Sequence, residues 1–452
     1  MIQLRDYQAD LIDRLRDALR SHRRVLAQAP TGAGKTAIGS FMVSGVAQRG
    51  RRALFLVHRV ELVRQTIAAF ERQDIPHGVI ASGMGFNPHA PCHVGAIQTV
   101  ARRLDKIQSP DLLIVDEAHH AVSESWAKVI EALNPRHIVG LSATPCRLDG
   151  RGLKEAFDCI VPGPSVADLI ARGFLSRYRA YAPTTVDLTG VHTTGGDFNR
   201  AELAEAMDRP AIIGDAVGHY LKLAAGKRAV VFCASIRHAE HVADAFRAAG
   251  VPSATVDGSM ASAERAATLA RFERGETLIL TSCDLVSEGF DLPAIEAAIS
   301  LRPTKSLSLW LQQVGRVLRP APGKDHAIIL DHVGNTLRHG LPDDEREWSL
   351  DGRKKRAGGG GDAFPIRQCP SCFTVHRPAP SCPTCGHEYA AKPREIEQRD
   401  GELVEIEARR AQIAKRQEIG RATTREALQA LAAQRGYKPG WVEHILRARG
   451  AA

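Results

Sequence analysis

The chain reads as an α/β protein of two parallel-sheet domains in tandem, followed by a small cysteine-rich module and a helical tail. Three observations predict this. Short apolar runs alternate with helical stretches from residue 1 to about 163, and the alternation restarts from about 206 to 340 after a stretch rich in Pro, Gly and Thr. Two Cys-x-x-Cys pairs then follow between residues 369 and 385. Alternating strands and helices bury both faces of a parallel sheet, and 452 residues leave room for two full cores and an appendage.

In the first half, Val25-Leu26-Ala27 predicts a buried strand and Lys35 to Val46 a helix. The loop between them, Ala29-Pro30-Thr31-Gly32-Ala33-Gly34-Lys35-Thr36, has the make-up of a phosphate cradle. Glycines let backbone amides approach an anion, the helix dipole favours it, Lys35 reaches terminal phosphates and the Thr36 hydroxyl suits Mg2+. Ala29 stands where the strict pattern has Gly. Ala53 to Val57 and Leu112 to Val115 predict further strands, with a helix from Arg59 to Arg72. The second of these strands ends in Asp116-Glu117-Ala118-His119, which places carboxylates at the cleft: Asp116 for Mg2+, Glu117 to orient and deprotonate water. Downstream, another strand ends in Leu141-Ser142-Ala143-Thr144-Pro145.

The break comes at Pro162-Gly163-Pro164 and Thr184 to Gly196, so residues 164–205 are expected to be a linker. Beyond it, strands are predicted at 229–233, 277–281 and 327–330, with helices at 236–249 and 305–318. On the last helix Arg316 and Arg319 lie three apart and address one target. An arginine placed against a transferring phosphoryl group contributes roughly 10³- to 10⁵-fold in rate, about 4–7 kcal/mol.

These motifs, in this order, resemble the superfamily 2 helicases, specifically the DEAH-type branch of restriction-enzyme motor subunits and repair translocases, over roughly residues 1 to 340. The resemblance implies two RecA-like domains, at 1–163 and 206–340, with ATP and Mg2+ between them. It assigns adenine reading to Gln8 of Leu4-Arg5-Asp6-Tyr7-Gln8, and nucleotide binding to Thr31, Gly32, Ala33, Gly34, Lys35, Thr36, Gly289 and Asp291. Coupling of hydrolysis to movement falls to His119, Ser142, Ala143, Thr144 and Gln312, and catalysis to Lys35, Asp116, Glu117, Arg316 and Arg319. Nucleic-acid contacts are implied for His58, Arg59, Gln98 and Thr99 in the first domain and Ser235 and Thr281 in the second. Travel from 3′ to 5′ is a family analogy that no residue fixes.

A formal net charge of +9 suits a polyanionic partner. DNA is favoured over RNA because the closer resemblance is to DNA motors; backbone contacts themselves carry no sequence information. No apolar run reaches the roughly 18 residues of a membrane span, and Met1-Ile2-Gln3-Leu4-Arg5-Asp6 lacks a secretory pattern, so a cytoplasmic location is expected.

Residues 341–361 read as a flexible tether, running from Asp343-Asp344-Glu345 through Arg353-Lys354-Lys355-Arg356 to four glycines. The basic run either touches phosphates or is simply solvated. In the module expected at 362–390, Cys369, Cys372, Cys382 and Cys385 have the spacing of tetrahedral thiolate coordination, with zinc the expected metal and disulfides the alternative that a reducing cytosol disfavours. Four filled positions make such a site structural. The tail, 391–452, predicts a helix begun by a Thr423/Glu426 capping box and stopped at Gly436, then a short helix from Trp441 to Arg447. DNA binding, docking of a protein partner and packing on the motor all remain open for it. An ATP-switched clamp that recruits a partner without unwinding is the alternative to a motor.

Overall fold

Seven strands build the first sheet: β1 (Arg24–Gln28), β2 (Ala53–Val57), β3 (Gly78–Ile80), β4 (Cys92–Ala96), β5 (Leu112–Asp116), β6 (His137–Ser142) and β7 (Cys159–Pro162). They lie in the order β3-β4-β2-β5-β6-β1-β7, every neighbouring pair parallel. All five residues of β2 and of β5 are buried, as expected of strands covered on both faces. The covering helices are α1 (Asp6–Ser21), α2 (Lys35–Ala47), α3 (Val60–Glu71), α4 (Ile97–Ala101) and α5 (Glu124–Leu133). Helix α1 turns Tyr7, Gln8, Leu11, Ile12 and Leu15 inward, a helical stripe that packs over β1 and β7.

This computed structural model describes residues 3–147, 150–182, 186–283, 295–352, 365–389, 418–419, 422, 424–437 and 440–448. After β7 come α6 (Val166–Ala171), β8 (Tyr178–Tyr181), the pair β9 (Thr193–Thr194) and β10 (Asp197–Phe198), α7 (Arg200–Met207) and α8 (Pro210–Leu223). Next follow β11 (Ala229–Phe232), α9 (Ile236–Ala248), β12 (Ser253–Val256), α10 (Ser262–Glu273), β13 (Ile279–Ser282), β14 (Ala297–Ser300), α11 (Leu307–Val317), β15 (Ala327–Asp331), α12 (Asn335–His339), β16 (Arg367–Gln368) and β17 (Thr374–His376). The second sheet runs β12-β13-β11-β14-β15-β8-β17-β16. It is parallel from β12 to β8 and antiparallel at β17 and β16.

Three segments depart from the expected organisation. Residues 164–205 are not a plain linker: β8 pairs with β15 inside the second sheet, and Phe198, Leu203 and Met207 form a small core with Ala234 and Val333. Tyr178-Arg179-Ala180-Tyr181 is too short a run to stand out beside a Thr- and Gly-rich stretch. The start of 341–361 is not a tether. Its first residues return to the first sheet, where Leu350 packs with Leu153 and Phe157, the Leu153 amide donates to the Leu350 carbonyl (2.8 Å) and Arg151 bridges Gly352. The basic run and the four glycines lie outside the described residues. The cysteine module is not an independent appendage either, because β17 pairs with β8 and so lengthens the second sheet.

Residues from Ala390 onward form a separate unit. Its helix Arg425–Arg435 is capped by Thr424, whose hydroxyl accepts from the Ala427 amide, and ends at Gly436 in the left-handed conformation; Thr423 lies outside the described residues. A second helix spans Trp441–Ala448, with Tyr437 and Trp441 in ring contact at 4.4 Å. Among the described residues no helix is long and apolar enough to cross a membrane.

Candidate nucleotide and nucleic-acid site

The loop from β1 to α2 is a cradle because its backbone is left-handed at both glycines, φ +90° at Gly32 and +82° at Gly34. Gly34 is the N-cap of α2 and has no side chain to satisfy the first-turn amides, which lack intrahelical acceptors. The loop is held from behind. Gln8 donates its amide to the Ala33 carbonyl (2.9 Å), Tyr7 donates its hydroxyl to the same oxygen (3.1 Å), and Gln8 Oε1 accepts from the Arg5 amide. A Cβ on Gly34 would stand 2.5 Å from Gln8 Nε2, so only glycine fits. Thr31, Gly32, Ala33, Lys35 and Thr36 follow one another along this cradle, with Ala33 buried.

Opposite the cradle, β5 ends in Asp116 and the chain turns sharply through Glu117, a non-glycine residue at φ 47°, ψ 57°. Such a conformation costs on the order of 1–3 kcal/mol and persists only where neighbours impose it. Those neighbours are visible. Lys35 Nζ donates to Glu117 Oε1 at 3.0 Å, and His119 Nδ1 lies 3.5 Å from Glu117 Oε2. Burial opposes the Glu117 charge, but the Lys35 ammonium and His119 outweigh it and hold the carboxyl down at about 2. Burial and the adjacent Glu117 push the Asp116 carboxyl up to about 6. The two neighbouring carboxyls are thus driven apart in acidity.

The second lobe closes over this site through α11 and the bend after it; Arg316 is on the helix, but the helix stops at Val317, so Arg319 lies beyond its end and not on one helical face with Arg316 as expected. A Cβ on Gly315 would lie 2.5 Å from Thr31 Cβ, and the Arg319 side chain passes within 3.7 Å of the Cβ position of Gly32. Arg316 is 7% exposed, and burial presses Arg319 below the ordinary arginine range. At the start of α11 the Ser308 hydroxyl is hydrogen-bonded to Thr144, while Ala143 accepts from Gln28 and Ser142 donates to the Thr144 carbonyl. Gln312 is buried, and its Nε2 has no hydrogen-bond partner among the described residues. Arg265 of α10 adds an ion pair to Glu61 of α3 at 2.8 Å.

Sequence reasoning missed Ser308, Arg265 and, above all, Lys324. Lys324 donates to the carbonyls of Val317, Arg319 (2.7 Å) and Ile295 (2.8 Å), tying down the end of α11; burial lowers its pKa to about 8. Its signal was present, since Pro320-Ala321-Pro322-Gly323 turns the chain back so that the next lysine meets the helix's last carbonyls.

Of the expected nucleic-acid residues, His58, Arg59 and exposed Gln98 gather at the ends of β2 and β4, where Gln98 donates to the His58 carbonyl (3.1 Å); Thr99 is nearly buried beside them. Ser235 caps α9 through the His238 amide. Thr281 is a correction: it is fully buried, and its hydroxyl is spent on the Ala239 carbonyl and on Thr255, tying β13 to α9 and β12. Gly289 and Asp291 lie outside the described residues.

The four cysteine sulfurs lie within 4.8 Å of one another, with Cys369 to Cys385 at 3.6 Å and Cys372 to Cys382 at 3.7 Å. Both Cys-x-x-Cys turns end in a left-handed residue, Phe373 and Gly386. His376 bonds Tyr389 (2.7 Å) and Arg377 pairs with Asp343 and Asp344.

Two parallel-sheet lobes that bring a phosphate loop, a carboxylate pair and an arginine-bearing helix to one cleft define an ATP-driven two-lobed motor. Residues 1–147 match the type III restriction enzyme res subunit and residues 213–321 the helicase conserved C-terminal domain. A 51.5 kDa protein of Lactococcus phage 7-9 is 31% identical over 87% of this chain and 85% of its own. IRC3 of Saccharomyces cerevisiae, named as a candidate ATP-dependent helicase, is 31% identical over 73% of this chain but only 51% of its own length. A fragment of a candidate type I restriction-enzyme HsdR subunit from Vibrio vulnificus YJ016 superposes with a TM-score of 0.59, at 24% identity, covering 75% of this chain and 65% of that one. The chain belongs to the superfamily 2 helicases, a family of ATP-hydrolysing enzymes.

Proposed function

We propose that this helicase acts on DNA, with ATP bound between the lobes and hydrolysis used to move along or open the strand. The observation that carries the reading is the seating of Gly315 and Arg319 directly on Thr31 and Gly32. In this reading Thr31 to Thr36 cradle the phosphates, Thr36 and Asp116 hold Mg2+, Gln8 steadies the loop and reads the base, and Glu117 orients and deprotonates water. Bound Mg2+ would supply charge neutralisation at the phosphates. Lys35 leaves Glu117 for phosphate, which frees the carboxylate for water. Arg316 and Arg319 stabilise charge developing on the transferred group only while the lobes are closed. Ser142, Ala143, Thr144, His119 and Gln312 link that closure to the strand, which lies across His58, Arg59, Gln98 and Thr99 on one lobe and Ser235 on the other.

DNA is preferred over RNA because the first lobe matches a restriction-enzyme subunit and the fold that of another. Phosphate release measured with single-stranded DNA, duplex DNA and RNA tests the proposal. Stimulation by DNA above RNA is expected, RNA alone would reassign the substrate, and no stimulation by any of them would leave an ATP-switched clamp.

We read the four thiols as a structural zinc site. Tetrahedral Zn–S bonds of about 2.3 Å require sulfur separations of about 3.8 Å, close to the 3.6 Å of Cys369 and Cys385 and the 3.7 Å of Cys372 and Cys382. Four thiolates leave no open position for catalysis.

A further inference from the structure

Three imidazoles stand in a row between the nucleic-acid face and the hydrolytic carboxylate. His58 directly follows β2, and its carbonyl is held by Gln98. Its ring faces His120 at 4.7 Å between centroids, tilted 40°. His120 faces His119 at 4.2 Å, again tilted 40°, and also lies near-parallel to Trp126 at 6.1 Å. His119 in turn stands 3.5 Å from Glu117 Oε2. Each step is within the range at which planar rings constrain one another's orientation, and His119 is 5% exposed, so the row runs inward from a half-exposed ring to a buried one.

The row ends on a residue approached from two sides. Glu117 sits in a left-handed backbone conformation and its two oxygens are divided between Lys35 and His119. A turn of the His119 ring therefore changes the hold on Oε2 without touching Lys35. Arg59, the N-cap of α3, comes directly after His58, so a phosphate backbone docking there bears on the outermost ring.

We propose that His120 is a positioning residue that transmits occupancy of the nucleic-acid face from His58 through His119 to Glu117, so that the carboxylate turns to water only when a strand is bound. This rests on the reading of the protein as a polynucleotide-stimulated ATPase. Shape, rather than a proton, carries the signal: the middle position needs a flat ring that fills the gap between its neighbours.

The test compares His120→Ala and His120→Phe in the full chain, measuring ATPase with and without single-stranded DNA, DNA affinity, and melting temperature. Stimulation should fall on the order of tenfold in H120A, within the range of ordinary coupling between sites, while basal turnover and DNA affinity stay within about twofold. H120F should recover most of the stimulation. A double-mutant cycle of H120A with His58→Ala should show the two losses to be shared rather than multiplied. Unchanged stimulation in H120A overturns the proposal. So does loss of basal turnover in proportion, which marks a merely structural residue, or weakened DNA binding, which marks a contact. If the unaltered protein shows no stimulation by any polynucleotide, it is the parent reading that fails, before the relay is addressed.

Discussion

Gly315 of α11 meets Thr31 of the phosphate loop so closely that a Cβ on the glycine would fall 2.5 Å from the threonine Cβ. The contact sets how closely α11 approaches the phosphate loop. Gly315→Ala forces the lobes apart or distorts the loop, an overpacking cost of about 1–3 kcal/mol that corresponds to roughly a 5- to 150-fold loss in kcat/KM for ATP. The helix itself should not suffer, since alanine is the better helix former. Steady-state ATPase with a parallel melting curve checks this; full activity in G315A would mean the lobes hydrolyse ATP in a more open arrangement than this one.

Glu117→Gln keeps the size of the side chain and removes its basicity. Turnover should drop by about 10²- to 10⁴-fold, the usual contribution of a general base, while nucleotide binding persists, because Lys35 is then freed from its 3.0 Å ion pair. Fluorescent-nucleotide titration beside phosphate release separates the two quantities. Retained turnover removes Glu117 from its assigned role.

Lys324→Met leaves the carbonyls of Val317, Arg319 and Ile295 without their shared donor. Ser176 still donates its hydroxyl to the Arg319 carbonyl, so the loss falls on the Val317 and Ile295 carbonyls, at about 1–3 kcal/mol for each unsatisfied buried group, and the turn carrying Arg319 loosens. The expected result is a fall in kcat larger than any change in KM, measured at saturating polynucleotide. A change in KM alone would place Lys324 outside the arginine helix's support.

What could be read from the sequence divides along a physical line. The phosphate loop, Asp116-Glu117 and the Cys-x-x-Cys turns are local geometries, each dictated by neighbours within a few residues, and the structure brings their members together. The position of Leu350 on Leu153, the joining of β8 to β15 and the seating of Lys324 depend on partners far away in the chain, so no periodicity announces them. Thr281 shows the opposite failing: its place in a motif suggested a surface role, but a strand residue alternates faces, and this one looks inward. The histidine doublet His119-His120 was plain as letters, whereas its alignment with His58 required the ends of β2 and β5 to be adjacent.

Zinc should be present at one ion per chain in metal analysis of the full-length protein, and absent from Cys372→Ser. Because β17 pairs with β8 and Arg377 pairs with Asp343 and Asp344, the loss should reach beyond the module. Chelation is expected to lower the melting temperature by several degrees, about 2–4 °C for each kcal/mol in a domain of this size. Stoichiometric zinc with no effect of its removal on melting would confine it to the module; no bound zinc in the purified chain would refute the site.

Acid should destabilise the protein well above the pH at which carboxylates protonate. His238 is fully buried, accepting from the Ala234 amide, and burial drives its pKa down to about 4. His332, 1% exposed beside His219, is driven down to about 3, again chiefly by burial. In the unfolded chain both take a proton near 6.5. Below that value the unfolded state binds protons that the folded state refuses, so stability is complete above about pH 6.5 and falls as pH drops toward the folded values. One unit below 6.5 the loss is about 1.4 kcal/mol per histidine. Asp116 acts in the opposite sense, because its folded carboxyl, raised to about 6, gains a proton before the unfolded one does, and it offsets part of the loss. Asp331, likewise raised by burial, adds to that offset, while His93 and His137, both lowered chiefly by burial, add to the loss. Four histidines outweigh two carboxylates, so chemical denaturation should show lower stability at pH 5.5 than at pH 7.5. His332→Phe should flatten that slope, since a ring that cannot titrate fills the same buried space; an unaltered slope in the variant would show that His332 is solvated in the native state.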